Sequence, residues 1–207
     1  IPLIIMIGLI QFTPELVYSV LDNEMVSNAE AMYDPDSRVL GRERESDSDL
    51  LMFGHYIRNN TGIGFQVFAG GMLFGLGTLF FLLFNGVYIG AVAGHLTHVG
   101  FIDTFWGFVC GHAAFELTAI VVSGAAGLKL AMALIAPGRK TRVRALIDNG
   151  KIGIKIMYGA ATLFIMAAFV EAFWSSMTLP VSTKYTVSAV LWALVIAYFW
   201  FTGRGKA

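Results

Sequence analysis

Hydrophobic and polar positions alternate along this chain in long blocks rather than at a short period. Apolar blocks run from Ile1 to Ile10, Ile63 to Phe84, Val87 to Val99, Thr104 to Ile135, Ile152 to Trp174 and Tyr185 to Phe201. Runs of about 20 apolar residues suit helices that cross a bilayer, since a helix satisfies its backbone polar groups internally. The pattern predicts an all-α, polytopic membrane helix bundle of about six transmembrane helices, forming one integral membrane domain over residues 1–207. The first block is too short to cross alone and is expected to be the end of a truncated first span. It has neither the basic start nor the small-residue cleavage site of a signal peptide. The third block is also short and is expected to cross in a thin or tilted part of the bundle, or to be broken or re-entrant. Asn85-Gly86, just before it, reads as a turn. The fourth block exceeds one straight span, with Gly124 and Gly127 placed to end or kink it.

The polar blocks add two surface segments. Residues 15–60 form an acidic segment with surface helices, ten acids standing against four arginines. Within it, Asp47-Ser48-Asp49 suits a helix start, and Tyr33-Asp34-Pro35-Asp36 reads as a turn because Pro35 disfavours helix at Asp34. Residues 137–152 form a basic loop or interfacial helix: Pro137-Gly138 stops the preceding helix, and Arg139 to Ile147 can carry bases along one side. Six bases lie between Pro137 and Lys155 against one acid, Asp148. Lysine and arginine prefer cytoplasmic loops, so this loop and the C-terminus are expected in the cytoplasm. The acidic segment is then extracytoplasmic, with three crossings between Asn60 and Pro137. Trp174, Tyr185, Tyr198 and Trp200 fit interfacial belts. The expected location is the inner or cytoplasmic membrane, multi-pass.

Composition agrees with that picture. The chain is 57% hydrophobic and only 14% charged, against roughly 25% charged in soluble domains, and its mean hydropathy is +0.70. Net charge is zero. Nucleic-acid binding is excluded as a reading of the basic loop, which is short, flanked by apolar spans and free of interleaved aromatics. The single cysteine, Cys110, cannot form an intramolecular disulfide.

Chemistry concentrates at Gly111-His112-Ala113-Ala114-Phe115-Glu116. His112 and Glu116 are i, i+4 and share one helix face. Each costs about 2.5–3.5 kcal/mol at a helix centre in hydrocarbon by insertion scales, so that face must turn into the protein. Glu171, nearer the outer end of its span, is the third member of this buried polar motif. Two readings stay open: a hydrogen-bonded clamp that fixes helix packing, or a proton, ion or substrate site. A metal set drawn from His95, His98, His112 and Glu116 is weak, because the H-E-x-x-H spacing of a zincin helix is missing. Neither G-x-S-x-G nor a phosphate-binding loop occurs. No catalytic residue, metal or cofactor is expected, and the chain is expected not to be an enzyme. Gly71 and Gly75, and Gly90 and Gly94, are small-xxx-small pairs that permit close helix approach. Asn85, Gly86, Gly90, Gly111, Gly124 and Gly127 make up a turn and packing motif, and the glycine-rich spans make self-association plausible.

Several of these residues together resemble the stage II sporulation protein M family. Asn59-Asn60, Phe68-Ala69-Gly70-Gly71 and Asn85-Gly86-Val87-Tyr88-Ile89-Gly90 are similar to its N-terminal pattern. Gly111-His112-x-x-x-Glu116-Leu117-x-Ala119-Ile120 and Gly124-Ala125-Ala126-Gly127-Leu128 resemble its central signature. Pro137-Gly138, Arg142 and Ala145-Leu146 continue it, and Val170-Glu171-Ala172-Phe173 is similar to its late acidic motif. In endospore formers the namesake belongs to a membrane complex needed for septal peptidoglycan removal and engulfment, although the family also occurs in organisms that do not sporulate. The resemblance implies an integral membrane scaffold or assembly subunit of a bacterial envelope complex. Its partners would be the lipid bilayer, other membrane or envelope proteins and a second copy of itself. The alternative is a transporter- or permease-like subunit with a polar intramembrane site.

Overall fold

In the computed structural model, which describes residues 1–36 and 48–202, every regular element is helical. The seven α-helices are α1 (Pro2–Phe12), α2 (Asn23–Tyr33), α3 (Ser48–Ala69), α4 (Leu76–His98), α5 (Ile102–Ile135), α6 (Arg142–Val170) and α7 (Val181–Phe201). Among the described residues, four helical stretches are long and apolar enough to cross a membrane: α4, α5, residues Arg142–Ser175 and α7. Helix α3 is as long, at 22 residues, but Asp49, Arg58, Asn59 and Asn60 make it more polar. The 11 residues of α1 reach only about 16 Å.

Packing fixes the directions. Gly86 faces Pro2, Gly90 faces Leu3 and Met6, and Gly94 faces Ile7 and Ile10, so α1 and α4 run parallel. Gly64 of α3 lies against Ser123, and Gly71 lies against Gly127, so α3 descends beside α5. Gly111 meets Val170 and Trp174 while Gly153 meets Ala126, which makes α6 antiparallel to α5. Ser188 of α7 donates to the Cys110 carbonyl (2.8 Å), and Lys184 packs beside Gly107. Successive helices from α3 to α7 therefore alternate in direction. Residues 13–36 and the start of α3 gather at one end, and the basic connection before α6 lies at the other.

The acidic end is a fitted cap. Thr104 donates to the Tyr33 carbonyl (2.6 Å), and Glu30 contacts His95 at 2.7 Å. The Tyr33 ring stands edge-on to Phe105 and Phe108. Burial, and after it the Glu171 carboxylate, holds the Tyr33 phenol above its usual range. The expected turn at Tyr33–Asp36 forms, with the Asp36 amide donating to the Asp34 carboxylate (2.9 Å). Asp47, part of the expected helix start, lies outside the described residues.

Four expectations are corrected. Asn85-Gly86 is not a turn: both residues lie inside α4, where the Asn85 amide donates to the Phe81 carbonyl (2.7 Å) and is satisfied on its own helix. Val87 to Val99 is accordingly not a short or broken span but the second half of α4 with its C-cap, Val99. The real break falls at a 3-10 turn, Gly70–Met72, followed by Phe74 and Gly75 with φ of 54° and 84°. Glycine suits that left-handed position because it has no Cβ. Gly124 and Gly127 do not end α5, which stays helical from Ile102 to Ile135. Nor is Arg139 to Ile147 a separate interfacial helix, since Thr141 caps α6 by accepting from the Arg144 amide (3.3 Å). The outward faces carry large exposed side chains such as Leu79, Phe80, Leu83 and Phe84, as a lipid-facing surface requires.

Candidate functional site

Four helices converge in the half of the bundle nearest the acidic cap. Helix α5 supplies His112 and Glu116, whose one-turn spacing sets both on the face turned toward α3 and α6. Helix α6 ends in a π-turn, Glu171–Ser175. A π-turn reaches five residues back for its hydrogen bonds and is frequent at functional sites. Here both of its ends point at α5. His112 Nδ1 lies 3.1 Å from Ser175 Oγ, and a side-chain donor atom from each of His112, Glu116 and Glu171 lies within 4.8 Å of the other two. Helix α3 adds Asn60, only 4% exposed, which accepts from the Asn59 amide (3.0 Å) and lines the same cavity as Glu171. Helix α7 adds Lys184, 3% exposed, whose Nζ donates to the Ser175 carbonyl (2.7 Å).

The cluster is largely buried but not closed upon itself. His112 is 5% exposed, and its Nε2 stops 3.9 Å from Glu116 Oε2, too far for a hydrogen bond. Among the described residues, Glu171 Oε2 is buried without a partner. Beside these groups lies a cavity of about 330 Å³, lined by His112, Glu116 and Glu171 together with Tyr56, Asn59 and Asn60. Aromatic walls from Tyr88, Phe105 and Trp106 complete it. Burying carboxylates is costly unless they are paired and hydrogen-bonded. The arrangement can therefore accept a cation, a proton donor or the polar end of a ligand.

The structure brings together His112, Glu116 and Glu171, three residues singled out in the sequence, and keeps the other histidines apart. His95 is tied to Glu30 under the cap, and His98 is exposed at the end of α4. The imagined set of His95, His98, His112 and Glu116 does not assemble. Among the glycines, Gly111 lies under the Trp174 ring and Gly124 under Leu82. Gly127 meets the α3–α4 turn, and Gly90 seats α1. Sequence reasoning did not assign Asn60, Ser175 or Lys184 to the site. Asn60 carried a signal, a polar residue at the mouth of an apolar run. Ser175 and Lys184 did not, because the π-turn that aims them is invisible to α-helical spacing.

Comparison with known proteins adds a lineage. A family model described as Stage II sporulation protein M matches residues 3–176. The match takes in Asn60, His112, Glu116, Glu171 and Ser175 and stops before Lys184. An uncharacterized protein of Methanocaldococcus jannaschii is 26% identical over 123 residues, 58% of this chain and 69% of its own length. No solved structure matches the chain.

Proposed function

Since the chain belongs to the stage II sporulation protein M family, we propose that it is the multi-pass membrane subunit of a cell-envelope complex whose polar cavity receives a ligand. The observation that carries this reading is the incomplete satisfaction of the cluster at the cavity wall. A clamp serves helix packing best when its groups satisfy one another, because an unpaired buried polar atom costs about 1–3 kcal/mol. Glu171 Oε2 has no partner, and His112 Nε2 and Glu116 stand apart beside open volume. The placement of bases at one end and acids at the other supports a cytoplasmic basic loop and an extracytoplasmic cap. The cavity then lies in the outer half of the membrane.

A second reading, a purely structural clamp, is favoured by the chain of contacts from Lys184 through Ser175 to His112. One experiment separates the two. Glu116→Gln is placed in a strain lacking the native copy, and abundance, co-purifying membrane proteins and rescue of the deletion's envelope defect are measured together. The cavity reading expects normal abundance and normal partners with rescue lost. Loss of rescue in step with loss of abundance favours the clamp. Full rescue at normal abundance overturns the cavity reading.

A further inference from the structure

We propose that His112, Glu116 and Glu171 bind a divalent transition-metal cation of the zinc and manganese class, with an open coordination position facing the cavity. The inference rests on the reading of the cavity as a ligand site and names what that ligand includes. Three independent features point to it.

The first is the donor set. An imidazole nitrogen and two carboxylate oxygens lie within 4.8 Å of one another, each from a different helical turn. Around a tetrahedral ion with bonds of about 2.0–2.2 Å such atoms stand roughly 3.4 Å apart. The 3.9 Å separation of His112 Nε2 and Glu116 Oε2 is already close to that. Rotation of two glutamate side chains closes the remainder. Mixed nitrogen and oxygen donors suit zinc, manganese or iron(II) better than the soft ions that prefer sulfur.

The second is the orientation of the imidazole. Histidines that bind metal through one ring nitrogen almost always fix the other with an outer hydrogen-bond partner. His112 Nδ1 has that partner in Ser175 Oγ at 3.1 Å, and Ser175 is itself fully buried and braced by Lys184 at its carbonyl. The other nitrogen, Nε2, belongs to a side chain 7% exposed and lies 3.9 Å from Glu116 Oε2.

The third is the orphaned oxygen. Among the described residues, Glu171 Oε2 is buried without a partner. Two carboxylates held this close repel one another in a low-dielectric interior. A dication balances their charge and takes up the idle lone pair. With three protein donors the ion keeps a position open toward the 330 Å³ cavity, as zinc sites that bind a further ligand do.

The test uses the full chain, purified in detergent, stripped with chelator and dialysed against ZnCl2 or MnCl2, with elemental analysis of the washed protein. The wild type is expected to retain about one ion per chain. His112→Ala and Glu171→Gln are expected to lose it, and Ser175→Ala to bind about 10–100-fold more weakly, as outer-partner variants do. His95→Ala, on the separate contact with Glu30, is expected to bind as the wild type. Size-exclusion profiles establish that each variant is folded. Glu171→Gln, nearly isosteric, carries the test if His112→Ala does not fold. A wild type that retains neither ion above the Glu171→Gln level overturns the cation inference, as does full binding by folded Glu171→Gln. Those results leave the cavity reading standing if Glu116→Gln still abolishes rescue. Stoichiometric binding beside full rescue by Glu116→Gln upholds the cation and overturns the functional reading instead.

Discussion

Gly127→Ala probes the place where α5 meets the α3–α4 turn backbone to backbone. A Cβ at 127 would lie 2.4 Å from Thr78 Oγ1, 2.8 Å from the Val67 carbonyl oxygen and 3.1 Å from that of Phe68. The first two atoms are the two ends of one hydrogen bond, Thr78 Oγ1 to Val67, itself 2.8 Å long and buried. Neither end can retreat easily: one is backbone, and Thr78 is 0% exposed. The methyl group must therefore break that bond or drive α3 away from α5. Overpacking of this kind costs about 1–3 kcal/mol, and a buried carbonyl stripped of its donor costs about 1–3 kcal/mol more. Alanine's better helix propensity returns up to about 1 kcal/mol. The expected net loss is about 1–6 kcal/mol. Reversible unfolding in detergent measures it against Gly159→Ala, where a Cβ meets nothing within 4 Å and the change should be neutral or stabilising by up to about 1 kcal/mol. Removing the hydroxyl as well, with Thr78→Ala, should recover part of the loss. If Gly127→Ala unfolds with Gly159→Ala, the close approach is not what holds α5 to the turn and the reasoning fails.

Two further outcomes are expected. Lys184→Met removes the buried donor to the Ser175 carbonyl (2.7 Å) and should cost about 1–3 kcal/mol, with faster amide exchange confined to residues 171–176. An unchanged rate there would show that the π-turn holds itself. In a Cys110→Ser background, Asp36→Cys should react with a membrane-impermeant maleimide on intact cells, and Lys140→Cys only after permeabilisation. The opposite pattern would reverse the orientation argued from the basic loop.

Much of the architecture was legible because hydrophobic block length carries it: α5, the apolar part of α6 and α7 lie where the apolar runs place them. The α3–α4 boundary was not. Residues 63–99 are apolar almost throughout, and Asn85-Gly86 is the strongest turn dipeptide within them. In a helix away from water, though, an asparagine amide can bond the carbonyl four residues back, as Asn85 does to Phe81. The glycines that do form the turn look from sequence like a helix-packing stripe. In the site, i, i+4 spacing placed His112 beside Glu116, and the likeness of Val170-Glu171-Ala172-Phe173 to the family's late acidic motif drew attention to Glu171. What aims Glu171 and Ser175 together is a local change of helix type, and nothing in their residue identities announces it.

That π-turn makes the length of α6 matter as much as its composition. Its hydrogen bonds reach one residue further than an α-helix needs, so Glu171–Ser175 holds one surplus residue. Loss of a single codon between Glu171 and Ser175 would let the stretch wind back to α geometry. Because the residue lost is the surplus one, the residues beyond the deletion would keep nearly the facing they have now. The same deletion within regular α-helix would instead turn the following residues by about 100° about the axis. The π-turn is thus the place where α6 can lose a residue without turning its end away from α5, and in related chains a one-residue gap at this point would mark a helix kept in register.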